Sequence, residues 1–217
     1  MLERIVIDQA VRDLRPDATV LAMTAEGLVN GPGGEPDAKV PDGAAQDPHV
    51  EAWREAYRAF GAKPQRTRSS IDALLRRADA LPSINRVVDA YNAVSVEYVL
   101  PIGGEDLDAY QGAARLVRAS GDEPFDTVAG GETVTEHPAA GEVVWRDDLG
   151  VTCRRWNWRQ CVRTRITEST RNALFLLERL EPYPLERLHE AGDALAARLR
   201  EFSPDVRIES RLIGGGA

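Results

Sequence analysis

Large apolar residues recur at helical spacing along this chain. In PHVEAWREAYRAFGA, Trp53, Tyr57 and Phe60 lie four and three residues apart, which predicts a helix that stops at the following glycine. A second, shorter helix is predicted over residues 70–80, between a serine near its start and a proline just beyond its end. Residues 185–202 predict a long amphipathic helix.

The stretch SINRVVDAYNAVSVEY predicts a further helix with two distinct faces. Its apolar face holds Ile84, Val87, Val88, Tyr91, Val94 and Tyr98. Asn85, Asp89 and Asn92, at i, i+4 and i+7, form a polar stripe on a neighbouring face. Such a stripe is either solvated or part of a site, and the pattern alone leaves both interpretations open.

Runs of apolar or alternating residues predict strands at 19–23, 114–118, 142–146, 151–158 and 205–211. The apolar run at 172–180 fits a strand or a helix equally well. Strands and helices are mixed without a regular βαβ rhythm. We therefore expect an α+β fold with a mixed sheet.

Glycine, proline and aspartate mark the connections. Residues 30–50 are rich in all three and predict a long surface loop. Residues 212–217 end in three glycines and an alanine, and we expect a frayed tail there. The chain shows no internal repeat, so residues 1–217 are expected to form a single domain.

The stretch LPIGGEDLDAYQG is predicted to be a loop. Pro101 and the pair Gly103–Gly104 are incompatible with a regular helix. Such a loop would bring backbone N–H groups and the carboxylates of Glu105, Asp106 and Asp108 into one tight turn.

Composition and charge narrow the class of protein. The 217 residues carry a formal net charge of −8, which disfavours a general coat for nucleic acid but leaves room for a local basic patch. No apolar run approaches the roughly 18 residues that span a bilayer, so no membrane segment is expected. The N-terminus, MLERIVIDQAVRDLRPD, is charged throughout and lacks the layout of a signal peptide. These features favour a cytoplasmic protein.

Familiar catalytic and metal-binding templates are absent from the sequence. It contains no GxSxG, HExxH or GxxxxGK[ST]. Cys153 and Cys161 do not form a CxxC motif, and three scattered histidines do not complete a zinc set, so two reduced structural thiols are expected. We expect neither a metal nor a cofactor.

The segment CRRWNWRQCVRTRITESTR gathers six arginines and two tryptophans with a single acid. As a strand, it would place Arg155, Asn157 and Arg159 on one face and Trp156 and Trp158 on the other. Guanidinium groups bind phosphate and carboxylate through paired hydrogen bonds. The competing interpretation is a row of solvated arginines above a tryptophan core.

Several of these elements occur in a recognisable order. LPSINRVVDAYNAVSVEYVLPIGGEDLD resembles the B3/B4 domain of the phenylalanyl-tRNA synthetase β subunit, whose motif has the form N-x-V-D-x-x-N, then a proline, then a D-L-D turn before a glycine. The matching residues are Asn85, Val88, Asp89, Asn92, Pro101, Asp106, Leu107, Asp108 and Gly112. Further matches are Gly121, Glu123 and Thr127 in VRASGDEPFDTVAGG, and Thr170 and Asn172 in RITESTRNALFLLERLEP. The resemblance spans about residues 53–182.

The resemblance implies both a fold and an activity. It implies a mixed α/β domain of the B3/B4 type, with a sandwich-like mixed sheet flanked by helices. In the synthetase this domain hydrolyses tyrosine wrongly esterified to phenylalanine tRNA. The chain resembles free-standing B3/B4 proteins, which are candidates for editing mischarged tRNA in trans. The implied partner is therefore the aminoacylated 3′ end of tRNA, and the oligomeric state is left open.

The sequence departs from the synthetase at two points. A histidine that follows the turn's proline after one residue is replaced here by Gly103. The synthetase's Gly-Gly-Glu segment, whose glutamate recognises the tyrosine hydroxyl, corresponds to residues 156–163, with the glutamate's place near Val162. Recognition of tyrosine is therefore not carried over, and a small or polar amino acid such as serine or threonine is expected instead.

The resemblance and the residue chemistry together give a candidate site for ester hydrolysis. The expected catalytic residues are Asn92 and Asp89, which would orient the substrate amino group or water, and Asn157, which would contact the ester or side chain. The expected substrate-binding residues are Gly103 and Gly104 for the oxyanion, Glu105 and Asp106 for the α-ammonium group, Arg155 and Arg159 for phosphates, and Trp156 and Thr164 from the same segment.

Three functions remain open on the sequence. The first is a trans-acting aminoacyl-tRNA deacylase. The second is a module that binds tRNA or another RNA end without catalysis. The third is a binder or hydrolase of small amino-acid derivatives without RNA, which the acidic net charge favours.

Overall fold

A computed structural model describes residues 1–34 and 38–215, except for the side chain of residue 79. Its α-helices are α1 (Gln9–Leu14), α2 (Pro48–Ala59), α3 (Ser70–Leu75), α4 (Arg86–Tyr98) and α5 (Leu185–Phe202). Short 3-10 helices cover Leu2–Arg4, Ala44–Gln46, Ala78–Ala80 and Leu107–Ala109. Helices α2, α4 and α5 confirm the elements predicted from apolar spacing. The predicted helix over 70–80 ends as an α-helix at Leu75 and resumes only as a 3-10 turn.

The strands form two larger sheets and one hairpin. They are β1 (Val6–Ile7), β2 (Thr19–Glu26), β3 (Ile102–Asp106), β4 (Arg115–Arg118), β5 (Phe125–Ala129), β6 (Glu132–Glu136), β7 (Val143–Arg146), β8 (Val151–Arg154), β9 (Arg159–Gln160), β10 (Asn172–Arg179) and β11 (Arg207–Gly214). The first sheet has the order β1-β4-β7-β8-β9, and its β1–β4 pair is parallel. The second has the order β11-β2-β10-β3 and is antiparallel throughout. Strands β5 and β6 pair with each other.

Strand β10 shows how the layers are stacked. Successive side chains of a strand point to opposite faces. Phe175 and Leu177 lie in a core shared with α4 and α5, whereas Leu174 and Leu176 lie in a core shared with the first sheet. The second sheet is therefore packed between the first sheet and a helical layer. This arrangement confirms the expected α+β fold with a sandwich-like mixed sheet and flanking helices.

The polar stripe of α4 is buried, so the solvated interpretation of it is wrong. Asn85, Asp89 and Asn92 are only 2%, 8% and 9% exposed. Asn85 caps the helix by accepting a hydrogen bond from the Val88 N–H at 3.0 Å. Ile84, assigned by its spacing to the apolar face, lies before the helix and is 54% exposed.

The predicted loop around Gly103–Gly104 is instead a strand. Residues Ile102–Asp106 form β3 and pair with β10 over five positions. Glycine is acceptable here because β3 lies at the edge of its sheet, and at Gly104 the backbone closely approaches Tyr91 and Ile166. The carboxylates of this stretch therefore do not meet in one tight turn. The ambiguous run at 172–180 is a strand, β10.

The predicted long loop and frayed tail are only partly correct. Residues Pro48–Val50 belong to α2, and Asn30 and Ala44 are buried. Residues 212–214 continue strand β11. Residues 35–37 and 216–217, which complete these two predictions, lie outside the described residues. No helix in the described part of the chain combines the length and the apolar character needed to cross a membrane.

Candidate functional site

A cavity of about 220 Å³ lies between the two sheets and is closed on one side by α3. Its floor comes from β3 and β10, its far wall from β7 and β8, and its mouth from the turn between β8 and β9. The lining residues are Ser70, Ala73, Leu74, Tyr91, Asn92, Ile102, Gly103, Glu105, Trp145, Cys153, Trp156, Asn157, Trp158, Arg159, Gln160, Leu176 and Glu178.

A hydrogen-bonded network in the cavity wall is centred on Glu178. The Asn157 side-chain amide donates to one Glu178 carboxylate oxygen at 2.7 Å, and the Trp145 indole N–H donates to the other at 2.7 Å. Asn157 in turn accepts from the Tyr57 hydroxyl at 2.9 Å and from the Ser70 N–H at 3.4 Å. All of the Glu178 partners are neutral, so the carboxyl is held in place without an opposing charge.

Burial without a cation changes the protonation of Glu178. Removal from water raises its pKa to about 8, and the hydrogen bonds from Asn157 and Trp145 offset only part of that effect. The indole of Trp156 lies close enough to favour the charged form slightly, although it does not reach hydrogen-bond geometry. A carboxyl with a pKa near neutrality can transfer protons at physiological pH.

Glu105 is a second buried carboxyl in the same cavity. It accepts a hydrogen bond from the Thr164 hydroxyl at 2.5 Å, and that hydroxyl lies 3.2 Å from the Cys161 sulfur. Burial raises the pKa of Glu105 well above its ordinary range, against the opposing effects of the Thr164 hydroxyl and the Arg163 guanidinium. A cavity with two such carboxyls is suited to receive a cationic group.

The tight turn between β8 and β9 overturns the predicted strand over 151–158. Arg155 and Trp156 adopt left-handed backbone conformations with φ of 47° and 68°, which are uncommon for residues other than glycine. The predicted faces are therefore wrong: Trp156 and Asn157 both point inward, while Arg155 is half-buried and Arg159 is exposed. Trp156 packs edge-on against Trp53, with 5.1 Å between ring centroids.

Trp158 orders two arginines beside the mouth of the cavity. The guanidinium carbons of Arg155 and Arg159 lie 4.5 Å and 4.4 Å from its ring centroid. Arg159 also lines the cavity itself. The competing interpretation of solvated arginines above a tryptophan core is correct in part, because Arg159 is exposed and Trp156 is buried, but a turn rather than a strand carries this arrangement.

The structure gathers six of the eleven predicted site residues around this cavity. They are Asn92, Gly103, Glu105, Trp156, Asn157 and Arg159. Thr164 stands directly behind Glu105 as its hydrogen-bond donor. The other four, Asp89, Gly104, Asp106 and Arg155, lie outside the lining.

Asp89 and Asp106 are occupied by local structure. Asp89 accepts from the Ser83 hydroxyl at 2.9 Å and from the Ile84 N–H at 2.8 Å, ahead of α4. Asp106 accepts from the Asp108 N–H at 2.9 Å and from the Thr170 hydroxyl at 2.6 Å. Both carboxylates thus hold the chain entering a helix or turn.

The two predicted glycines face opposite directions. A Cβ on Gly104 would lie 2.7 Å from Tyr91, whereas one on Gly103 would meet no atom within 4 Å. The Glu178 N–H donates to the Pro101 carbonyl, so the alternation of the antiparallel ladder directs the Gly103 N–H toward β10 as well. Gly104 turns its carbonyl to the other side, where it accepts from the Gln160 side chain.

Glu178 is the functional candidate that the sequence analysis missed. A signal for it exists, because NALFLLER places a single carboxylate inside an apolar run. Once that run is a strand, Leu174, Leu176 and Glu178 share one face, and a charged residue on a doubly covered strand needs an explanation.

Cys153 lines the cavity, but neither of the two thiols is activated there. Cys153 and Cys161 are free and buried, and burial raises the pKa of both thiols. Within residues 1–34 and 38–215, no three histidine, cysteine, aspartate or glutamate side chains cluster as a metal site.

Comparisons with known proteins relate the chain to a family. A family model described as the B3/4 domain matches residues 52–193. Among solved structures, the chain is similar to an N-terminal fragment of the phenylalanyl-tRNA synthetase β subunit from Pyrococcus horikoshii, with 14% sequence identity and a TM-score of 0.46. That match covers 96% of this chain and 50% of the fragment, so the chain spans half the length of the structure it matches. No curated protein matches the sequence.

Proposed function

We propose that this chain, which belongs to the B3/4 domain family, hydrolyses the ester bond of mischarged aminoacyl-tRNA in trans. The single observation that carries the proposal is the pair of buried carboxyls, Glu105 and Glu178, in one cavity whose mouth is flanked by Arg159. An aminoacyl ester has a cationic amino group at one end and an anionic polynucleotide at the other. The two carboxyls inside the cavity and Arg159 beside them match that polarity once the carboxyls ionise on binding.

The buried carboxyls supply recognition of the α-ammonium group. An ammonium placed beside Glu105 favours the ionised form of that carboxyl and lowers its pKa from its raised value. The Thr164 hydroxyl keeps the carboxyl oriented toward the cavity. Binding of the amino acid therefore releases a proton from the protein when the carboxyl ionises.

Glu178 is the proposed general base. Its carboxylate takes a proton from a water molecule as the water oxygen bonds to the acyl carbon, giving a tetrahedral intermediate. The bond from that carbon to the ribose oxygen then breaks, and the protonated Glu178 carboxyl returns its proton to the ribose oxygen. The products are a free amino acid and tRNA with an intact terminal hydroxyl. Asn157 fixes the Glu178 carboxyl at 2.7 Å, and Asn92 offers a further amide to the water or amino group.

An uncommitted donor in the cavity wall is available to the developing oxyanion. The Trp156 indole N–H is buried and has no hydrogen-bond partner among the described residues. A buried donor left unpaired is costly, and a carbonyl oxygen that gains negative charge would satisfy it. Trp156 thus takes the role that the sequence analysis expected of Gly103 and Gly104.

The proposed substrate carries a small or polar amino acid rather than tyrosine. Glu105, Asn157 and Glu178 present polar groups to a cavity of about 220 Å³, while the position that resembles the tyrosine-recognising glutamate falls near Val162. Serine and threonine are the first substrates to test.

The deciding experiment is a panel of mischarged tRNAs incubated with the purified 217-residue chain. The expected result is that at least one is deacylated faster than in buffer, and that Asn157→Ala slows that reaction. If no tRNA is deacylated faster than in buffer and Asn157→Ala has no effect, the enzymatic proposal fails. Binding that is sensitive to salt but without turnover would identify an RNA-end binding module instead.

A second candidate is a hydrolase of small amino-acid esters that needs no RNA. The net charge of −8 favours it, because a negatively charged protein repels polynucleotides. Free amino-acid methyl esters distinguish the two. Equal kcat/KM for a methyl ester and the corresponding aminoacyl-tRNA would support this second candidate.

A further inference from the structure

A second pocket of about 260 Å³ lies beside the candidate site, on the other side of Arg155. It is formed by the segment that follows α2 and by the β8–β9 turn, with Lys63, Arg66, Thr67 and Arg155 in its lining. The Lys63 carbonyl accepts the backbone N–H groups of Arg66 and Thr67, each at 2.9 Å. This tight turn places the two cationic side chains on one short stretch of backbone.

The pocket is positively charged in a chain whose net charge is −8. Lys63 and Arg66 are exposed and form no ion pair with any described residue. The carboxylate in the lining, Glu142, is already engaged, because Arg154 donates to its two oxygens at 2.9 Å and 3.0 Å. Arg155 Nε also lies 3.7 Å from a Glu142 oxygen, so this carboxylate pairs with Arg154 and Arg155 and leaves Lys63 and Arg66 without an ionic partner among the described residues.

Arg155 is fixed at the boundary between the two pockets. Its guanidinium donates to the Thr67 hydroxyl and lies over the Trp158 ring, which also carries Arg159. Its left-handed backbone, followed by that of Trp156, turns Arg155 outward while Trp156 points inward. Unusual backbone conformations of this kind concentrate at functional sites. Trp158 thus aligns one guanidinium with each pocket.

We propose that this second pocket binds the phosphodiester backbone of a single-stranded polynucleotide whose 3′ end occupies the candidate site. The inference rests on the proposed function, which requires such an end. Lys63, Arg66 and Arg155 contact phosphates, and Arg159 contacts the phosphate nearest the cavity mouth. Backbone contacts of this kind position a strand without reading its sequence.

The test is the binding of a fluorescently labelled single-stranded RNA ending in CCA, followed by anisotropy over a series of salt concentrations. The variant is Lys63→Glu/Arg66→Glu, and the matched control is Arg200→Glu, which lies on α5 beyond the second sheet. We expect at least tenfold weaker binding in the double variant and a salt slope smaller by about 0.7 for each lost phosphate contact. The control should bind as the wild type does. Lys63→Ala/Arg66→Ala serves if charge reversal prevents folding.

Two outcomes overturn the inference. One is unchanged RNA affinity in a folded double variant. The other is an unchanged KM for a tRNA that the wild-type protein deacylates. Loss of RNA binding in the double variant supports the inference even if no tRNA is deacylated, so its failure is distinguishable from failure of the proposed hydrolysis. Competition by inorganic phosphate as effective as that by RNA would show a free-anion site and count against a polynucleotide.

Discussion

The Asn157 side-chain amide lies 2.7 Å from a carboxylate oxygen of Glu178, and it joins the turn of one sheet to the central strand of the other. The carboxyl is fully buried, and its described hydrogen-bond partners are neutral. Because of this hydrogen bond, the protonation of Glu178, the position of its carboxyl and its role in catalysis can all be tested by substituting a single residue.

Glu178→Gln should abolish most deacylation while keeping the volume of the side chain. Loss of a general base typically slows a reaction by about 10²- to 10⁴-fold. Because the pKa of Glu178 is raised to about 8 and the ionised form is the base, wild-type kcat should rise with pH through about 8. Rates after subtraction of buffer hydrolysis test this. A variant with the wild-type pH profile would remove Glu178 from the mechanism.

The same substitution should change how stability depends on pH. The pKa of Glu178 is raised in the folded protein. The folded protein therefore keeps a proton on this carboxyl that the unfolded chain loses above the ordinary pKa of 4.5. Its stabilising contribution is complete below 4.5 and declines by about 1.4 kcal/mol per pH unit until about pH 8. Urea unfolding of wild type and Glu178→Gln at several pH values gives the difference. A difference independent of pH contradicts the prediction.

Asn157→Ala should lower stability and move the pH dependence of activity to higher pH. The substitution leaves the Tyr57 hydroxyl without its acceptor and Glu178 without an amide donor. It should therefore lower the free energy of unfolding by about 1–3 kcal/mol. Since that donor lowers the pKa of Glu178, its removal should shift the rate profile to higher pH. Tyr57→Phe is the matched control, because it removes only the hydroxyl that Asn157 accepts from. Equal shifts of the pH–rate profile in both variants would argue against a specific role of Asn157 in positioning Glu178.

Regular elements were predictable where local periodicity agrees with the tertiary environment. Helix α5 was predicted with the correct ends, because its apolar face continues without interruption from Leu185 to Phe202. The β8–β9 turn was not predictable, since the left-handed backbone at Arg155 and Trp156 depends on distant contacts such as Trp53. Alternation of residue type therefore indicated the wrong faces there.

The site shows the same division between local and distant causes. Residue chemistry singled out Glu105 and Asn157, which do not belong to the matched motif, and the structure brings both to one cavity. Asp89 and Asp106 do match the motif, yet both satisfy local backbone groups instead. Glu178 was overlooked because its importance depends on burial of β10 on both faces, a property set by the packing of two sheets.

Two adjacent glycines provide a matched pair of tests. A Cβ at position 104 would lie 2.7 Å from Tyr91 and 2.8 Å from Ile166, so Gly104→Ala should destabilise the protein by about 1–3 kcal/mol. Position 103 faces open space in the cavity, so Gly103→Ala should change stability by no more than about 0.5 kcal/mol. The added methyl group should instead raise KM. Thermal unfolding and deacylation kinetics separate the two effects, and equal destabilisation would contradict the assigned orientations.

His49 should remain neutral far below the ordinary range of a histidine. Its Nε2 accepts the Trp53 indole N–H at 3.0 Å and the Leu180 N–H at 3.2 Å, so the proton resides on Nδ1, which donates to the Val99 carbonyl at 2.9 Å. Burial lowers its pKa to about 4. Long-range ¹H–¹⁵N spectra should show the Nδ1–H tautomer down to about that pH.

The lowered pKa of His49 affects stability with the opposite sign to Glu178. Below about pH 6.5 the His49 ring binds a proton in the unfolded chain but stays neutral in the folded protein. The contribution of His49 to the free energy of unfolding is therefore complete above pH 6.5 and is lost as the pH falls toward 4. The expected loss is about 1.4 kcal/mol per pH unit within that window. Urea unfolding between pH 4 and 7 measures the slope, and His49→Phe should flatten it while lowering stability overall. Titration of the His49 ring near pH 6.5 in the folded protein would contradict its burial and its hydrogen bonds to Trp53, Leu180 and Val99.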